Sequence, residues 1–294
     1  MNPVNSAGLR RLFDLSRGRS EVKVGLIDGP VDVNHESLRA ALIQPVNSRH
    51  GQACTDLDSP ECRHGTFIAG ILVGVRGEAS PAICPDCTLL TRPLFAESRT
   101  GGPPVPHARP QQLASALRET AGAGARVINL SMAALRLAGP GERVLTQALD
   151  ECARLDVVVV AAAGNEALVG SSCITRHPWV IPVAASDARG IPMASSNLGS
   201  SISRRGLLAP GENIVSLEPR GGSITLSGTS AAAPFVTGAI ALLCSLFPWL
   251  RGRDICDAVG RASVRRRTVV PPLLDAWTAY LELSARPKGK GEPL

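Results

Sequence analysis

The chain has 294 residues, a length that accommodates one large α/β domain or two smaller ones. Hydrophobic residues make up 44%, which excludes a disordered chain and provides for a sizeable core. The net charge is +6, of which the segment from Trp249 onward carries +4, and aromatic residues are only 3%; a dedicated nucleic-acid binder with base-stacking platforms is excluded.

Taken in chain order, the first twenty residues hold Arg10, Arg11, Arg17 and Arg19 but no apolar run of about 7–15 residues. No secretory signal is expected there. Val22 to Ile27 alternates as a strand and runs into Asp28-Gly29-Pro30. His64 to Val75 places Phe67, Ile68, Ile71, Leu72 and Val75 at helical spacing, so His64 is expected at a helix start. Cys87 to Thr91 and Ala125 to Leu130 read as strands, with a helix over Gln111 to Gly122 between them. Thr100 to Pro110, rich in Gly and Pro, is a loop or an extended edge. Glu142 to Leu155 is an amphipathic helix, and Asp156 to Ala163 a fully buried strand ended by Gly164-Asn165. Trp179 to Ala185 and Ile214 to Leu217 are further strands. Ala231 to Phe247 is apolar on all sides, as a central core helix would be, and is too interrupted to span a bilayer comfortably. Strands alternating with helices predict a mostly parallel sheet between helical layers. The expected organisation is a single domain over residues 1–280 with a basic tail over 281–294.

Three features fall at element ends, where an open α/β sheet places its ligands. Asp28 ends the first strand, His64-Gly65-Thr66 opens a helix, and Gly228-Thr229-Ser230 delivers a serine to the apolar helix. A serine hydroxyl is a weak nucleophile until an imidazole takes its proton, and the imidazole needs a carboxylate to fix its tautomer. Singly, each is equally a turn aspartate, a structural histidine or an N-cap. Together, in the order Asp, His, Ser, they follow the subtilisin order.

His64-Gly65-Thr66 with Ala69-Gly70, and Gly228-Thr229-Ser230 with Ala233-Pro234, resemble the subtilisin-like serine peptidases, the subtilases, over about Val22 to Phe247. The resemblance implies a three-layer subtilisin-like fold and a peptidase with no cofactor and no metal. Ser230 would be the nucleophile, His64 the base and Asp28 the orienting carboxylate. Ala161 to Glu166 resembles the segment that supplies the oxyanion-hole amide, which falls on Asn165. Substrate-binding positions implied by the same resemblance are Ser131, Met132 and Ala133, with Ala163 and Gly164. Most subtilases carry glycines where Ala133 and Ala134 stand, so the added methyls narrow the space beside a bound peptide.

Within that family the chain is similar to the cyanobactin-maturation proteases of the PatA and PatG type. The residues concerned are Gly8 to Phe13, Val24 to Asp32 with its Asp-Gly-Pro, and Leu208 to Ile214. Such enzymes act on a ribosomally made precursor peptide, so the expected partner is a peptide or protein substrate, with no nucleic acid and no membrane. The macrocyclising type carries an insertion between the catalytic Asp and His. Here His64 follows Asp28 by 36 positions, with no room for a helical cap, so hydrolysis is expected over cyclisation by acyl transfer. A catalytically idle scaffold that only binds the precursor is the remaining alternative. Only 27 residues precede Asp28, so an enzyme without a pro-segment, in the cytoplasm, is expected.

Eight cysteines complicate that expectation. Cys84-Pro85-Asp86-Cys87 has zinc-ligand and redox spacing, and Cys54 and Cys62 stand eight positions apart. A zinc site, a disulfide among these four, or free buried thiols are all open. Cys244 is expected as a small core residue. Asp56, Asp58 and Glu61 read as a solvated acidic loop. Arg261, Arg265, Arg266 and Arg267 read as a solvated face, or alternatively as a landing site for an acidic leader peptide.

Overall fold

The computed structural model describes residues 3–46, 53–78, 80–94, 109–131, 140–262 and 268–286. Two short helices come first, α1 (Pro3–Ser6) and α2 (Leu9–Leu15), then β1 (Lys23–Asp28), a 3-10 turn (Glu36–Leu38) and β2 (Leu42–Pro45). Helix α3 (Pro60–Val73) leads to β3 (Thr88–Pro93), α4 (Pro110–Gly122), β4 (Val127–Leu130), α5 (Pro140–Arg154) and β5 (Val158–Ala162). Next are α6 (Cys173–Arg176), β6 (Val180–Ser186), α7 (Ser200–Arg205), β7 (Leu207–Pro210) and the hairpin β8 (Ile214–Leu217) and β9 (Ser223–Leu226). Helices α8 (Thr229–Leu246), α9 (Gly252–Arg261) and α10 (Ala276–Ser284) complete the chain order.

Seven strands form one parallel sheet in the order β2-β3-β1-β4-β5-β6-β7. Alternate side chains feed two cores, as the period of a strand requires. Val24, Val127, Val158, Val160 and Val183 face the core built on α3 and α8; Ile27, Ile128, Leu130, Val159 and Ala161 face α4 and α5. This is the three-layer α/β arrangement expected from the alternating pattern. Phe67 and Phe235, from α3 and α8, are fully buried, and truncating either to Ala would cost about 3–5 kcal/mol.

Among the described residues α8 alone is long and apolar enough to cross a membrane, yet 89% of it is buried within the protein. It is the core helix, filling the space that a parallel sheet leaves on one face. Ala276, Ala279 and Leu283 of α10 also lie in the core, so the packed body continues past residue 280. The strands β2, β7 and β9 have no counterpart in the periodicity reading. Each is four residues long, and β2 and β9 are partly exposed, so neither of those two carries an unbroken apolar run.

Candidate active site

Strands β1, β4 and β5 are neighbours and parallel, so their carboxyl ends open on one edge of the sheet. Ile27 pairs with Leu130 and Leu130 with Ala161, which brings Asp28, Ser131 and the turn after Ala162 to one level. Three sequence-distant segments therefore share an edge because of strand register alone.

The carboxylate of Asp28 is 3% exposed. Its Oδ1 accepts from His64 Nδ1 at 2.7 Å and from the Gly29 backbone N–H at 2.6 Å. A carboxylate only accepts, so the proton sits on His64 Nδ1 and Nε2 carries the lone pair that a general base needs. Burial pushes the imidazole pKa down, but the Asp28 charge and hydrogen bond more than offset this and raise it above the ordinary 6.5. The imidazole keeps 31% of its surface open, enough to meet a substrate.

His64 is the fifth residue of α3, which corrects the expectation that it opens the helix. The helix starts at Pro60, with Ser59 as N-cap accepting from Cys62 N at 3.1 Å. Proline pre-set at the first position and a serine cap set that start, a local signal independent of apolar spacing. Close backbone approach then fixes the helix against the β1 turn. A Cβ on Gly65 would lie 2.2 Å from the Pro30 carbonyl oxygen, and one on Gly29 would lie 2.1 Å from that of Glu61. Only glycine at both positions lets the two segments touch.

Ser230 is the second residue of α8, where the first N–H groups of a helix have no intrahelical partner. Asn165 is brought beside it. Asn165 Oδ1 accepts from the Thr229 N–H at 2.9 Å, and Thr229 Oγ1 accepts from the Gly164 N–H at 3.1 Å. With Oδ1 engaged, the Nδ2 group of Asn165 is the donor left to serve an oxyanion, together with the Ser230 N–H. Among the described residues no hydrogen bond joins His64 to Ser230. The structure thus assembles two pairs, Asp28 with His64 and Asn165 with the start of α8.

Ser131 stands just beyond β4 and its hydroxyl accepts from Asn129 Nδ2 at 2.6 Å. Ala163 and Gly164 are buried, and their N–H groups go to the Val183 carbonyl and Thr229 Oγ1, so each serves the fold before any peptide. Met132 and Ala133 lie outside the described residues, as does most of the segment from Thr100 to Pro110.

The cysteine alternatives resolve into one disulfide, Cys54–Cys62, with Cys84, Cys87, Cys152, Cys173, Cys244 and Cys256 free. Cys244 is a core residue, as expected. Among the described residues no group of three His, Cys, Asp or Glu side chains is placed to hold a metal ion. The acidic segment is not simply solvated: Glu61 is 7% exposed, and Asp58 pairs with Arg220 at 2.9 Å. Arg261 is engaged by Glu282 at 2.8 Å, while Arg265, Arg266 and Arg267 lie outside the described residues. Neither the Cys54–Cys62 pairing nor the clamp made by Thr229 was anticipated from sequence. Gly-Thr-Ser marked a helix start, but the partner of each Thr229 group is set by tertiary contact.

Comparison with known proteins agrees with this geometry. A profile described as the subtilase family, peptidase S8, matches residues 19–275. Mycosin-4 of Mycobacterium tuberculosis is 30% identical over 296 residues, covering 86% of this chain, which spans 62% of that protein's length. A mutant of the protease domain of PatA superposes with a TM-score of 0.82 at 29% identity, covering 91% of this chain and 96% of that one. The prenylagaramide maturation protease PagA gives 0.81 at 29%, covering 94% and 98%. The PatG macrocyclase in complex with peptide gives 0.80 at 22%, covering 93% and 95%, a likeness of fold alone.

Proposed function

Because the chain belongs to the subtilase family, we propose that it is a serine endopeptidase whose catalytic groups are Ser230, His64 and Asp28, with Asn165 as oxyanion donor. Ser230 Oγ attacks the scissile carbonyl while His64 Nε2 takes its proton. The tetrahedral oxyanion meets Asn165 Nδ2 and the Ser230 N–H. As the C–N bond breaks, His64 returns the proton to the leaving amine. Water then repeats the sequence on the acyl-enzyme, with His64 again as base. The observation that carries this reading is the 2.7 Å bond from His64 Nδ1 to Asp28, which leaves Nε2 basic. A bond from His64 to Ser230 forms when substrate closes the site, as catalytic hydrogen bonds often do.

The substrate we propose is a ribosomally made natural-product precursor peptide, cut to remove its leader. Support comes from the likeness to PatA and PagA at 29% identity. Water is the proposed acyl acceptor. Between Asp28 and His64 the described residues carry one 3-10 turn and the short β2, with α3 already begun at Pro60, and no helical insertion that would shield the acyl-enzyme.

Mass spectrometry of a candidate precursor after incubation with wild type and with Ser230→Ala tests the whole reading. The expected result is two linear fragments, their masses summing to precursor plus one water, formed only by the wild type. A core product short by one water would replace hydrolysis with cyclisation. No product and no labelling of Ser230 by a fluorophosphonate would leave a binding scaffold.

A further inference from the structure

The turn that carries Asn165 is strained and does not hold itself. Gly164 has φ 108° and Ala167 φ 53°, so a residue with a side chain sits in the left-handed region two positions after Asn165. Such backbone persists only where surrounding contacts over-determine it. The segment is also exposed from Asn165 to Gly170, so packing supplies little of that restraint.

Backbone bonds supply part of it, from the Ala167 N–H to the Ser195 carbonyl at 2.8 Å and between Leu198 and both Leu168 and Gly170, and one residue supplies the bonds nearest Asn165. Asn197 Oδ1 accepts from the Glu166 N–H at 3.1 Å and the Leu168 N–H at 2.9 Å. Its Nδ2 donates to the Ala163 carbonyl at 3.1 Å and to Glu166 Oε2 at 2.5 Å. Its backbone N–H donates to the Gly164 carbonyl at 2.9 Å. These five bonds grip the turn on both sides of Asn165, two of them to Ala163 and Gly164 before it and three to Glu166 and Leu168 after it. Asn197 is itself seated on the sheet: the neighbouring Ser196 is buried, its hydroxyl bonded to both the N–H and the carbonyl of Ala185 in β6.

From this geometry we infer that Asn197 is a positioning residue for oxyanion stabilisation, acting through Asn165. It does not touch the reacting atoms. It fixes the turn from the β6 side, while Thr229 fixes it from the α8 side, and the Asn165 amide is aimed between the two anchors. A donor that drifts on a loose turn loses most of its value, since misplacement by about 1 Å can cost about 100-fold in rate. The role rests on the reading of Asn165 as the oxyanion donor.

The test is a double-mutant cycle on hydrolysis of a peptide p-nitroanilide, with kcat and KM measured separately. The variants are Asn165→Ala, Asn197→Ala and both together, with Ser230→Ala as the blank and circular dichroism as a check on folding. The role predicts that Asn197→Ala lowers kcat by about 10–100-fold with KM within about threefold. In the Asn165→Ala background the same change costs less than about threefold, because the group it positions is gone. A second arm guards against a variant that fails to fold: Asn197→Asp keeps the two acceptor contacts but loses both donations, to the Ala163 carbonyl and to Glu166, and adding Glu166→Gln restores the contact at position 166 and recovers part of kcat. An equal loss from Asn197→Ala in both backgrounds, or no recovery in the second arm, overturns this role alone. If Asn165→Ala leaves kcat unchanged, the assignment of the oxyanion donor fails, and the role of Asn197 with it.

Discussion

Thr229 and Asn165, 64 positions apart, are joined by a 2.9 Å hydrogen bond from the Thr229 backbone N–H to Asn165 Oδ1. The bond settles which end of the amide faces outward. Thr229 adds a second contact through its hydroxyl, so the start of α8 and the turn after β5 form one unit.

That unit predicts a difference between two substitutions at Thr229. Thr229→Val keeps the volume but leaves the buried Gly164 N–H without its acceptor, costing about 1–3 kcal/mol. Thr229→Ser keeps the hydroxyl. Thermal unfolding of the Val variant should shift down by several degrees and its kcat should fall, with the Ser variant near wild type. Equal losses in both would remove the hydroxyl from the explanation.

Asn165→Ala should lower kcat by about 10²–10³-fold with KM little changed, the scale known for this donor in subtilisin itself. The measurement is steady-state hydrolysis of a p-nitroanilide. A rise in KM at constant kcat would mean that the amide binds the ground state instead.

The pH profile follows from Asp28. His64 must be neutral to act as base, and Asp28 raises its pKa above 6.5, so kcat/KM should climb through an apparent pKa above that value. Asp28→Asn should move the limb to lower pH and reduce kcat by about 10⁴-fold. The linkage to stability has the opposite sense. A raised histidine pKa contributes stability that is complete below 6.5 and lost as pH rises through the folded-state value. An unshifted limb in Asp28→Asn would separate the two residues functionally.

The Cys54–Cys62 bridge closes a short loop onto the helix that bears His64, ending two positions before it. Loop-closure entropy for so short a ring is about 2–3 kcal/mol. Cys54→Ser with Cys62→Ser, or treatment with dithiothreitol, should lower the melting temperature by several degrees. Mass spectrometry after thiol alkylation should count six reactive thiols in the unfolded, unreduced protein and eight after reduction. Eight before reduction would show that the bridge does not form.

Much of this protein was legible from its residues in order. Asp28, His64, Asn165 and Ser230 stood out because each follows a strand or sits near a helix start, where backbone geometry restricts the neighbours to Gly, Thr or Pro. The long strands and α8 are equally plain, since burial on all sides demands apolar or small residues throughout. The helix over Gln111 to Gly122 starts one residue earlier in the structure, and the strand expected over Ile214 to Leu217 has those bounds. The start of α3 lies before its first apolar-periodic residue because Ser59 and Pro60, not apolar spacing, set it.

Other features had no local signal. A cysteine does not name its partner, so Cys54 and Cys62 stayed among several pairings until the chain brought them together. Asn197 lies in an ordinary Ser-Ser-Asn stretch and could not be told from any polar turn. Its importance comes from facing, across about thirty positions, a strained turn whose donors and acceptors it fits. The sequence by itself determined which chemical groups are available and that they end strands or begin helices, because those demands are local. Only the tertiary structure decided which groups meet, because strand order and register set the distances between them.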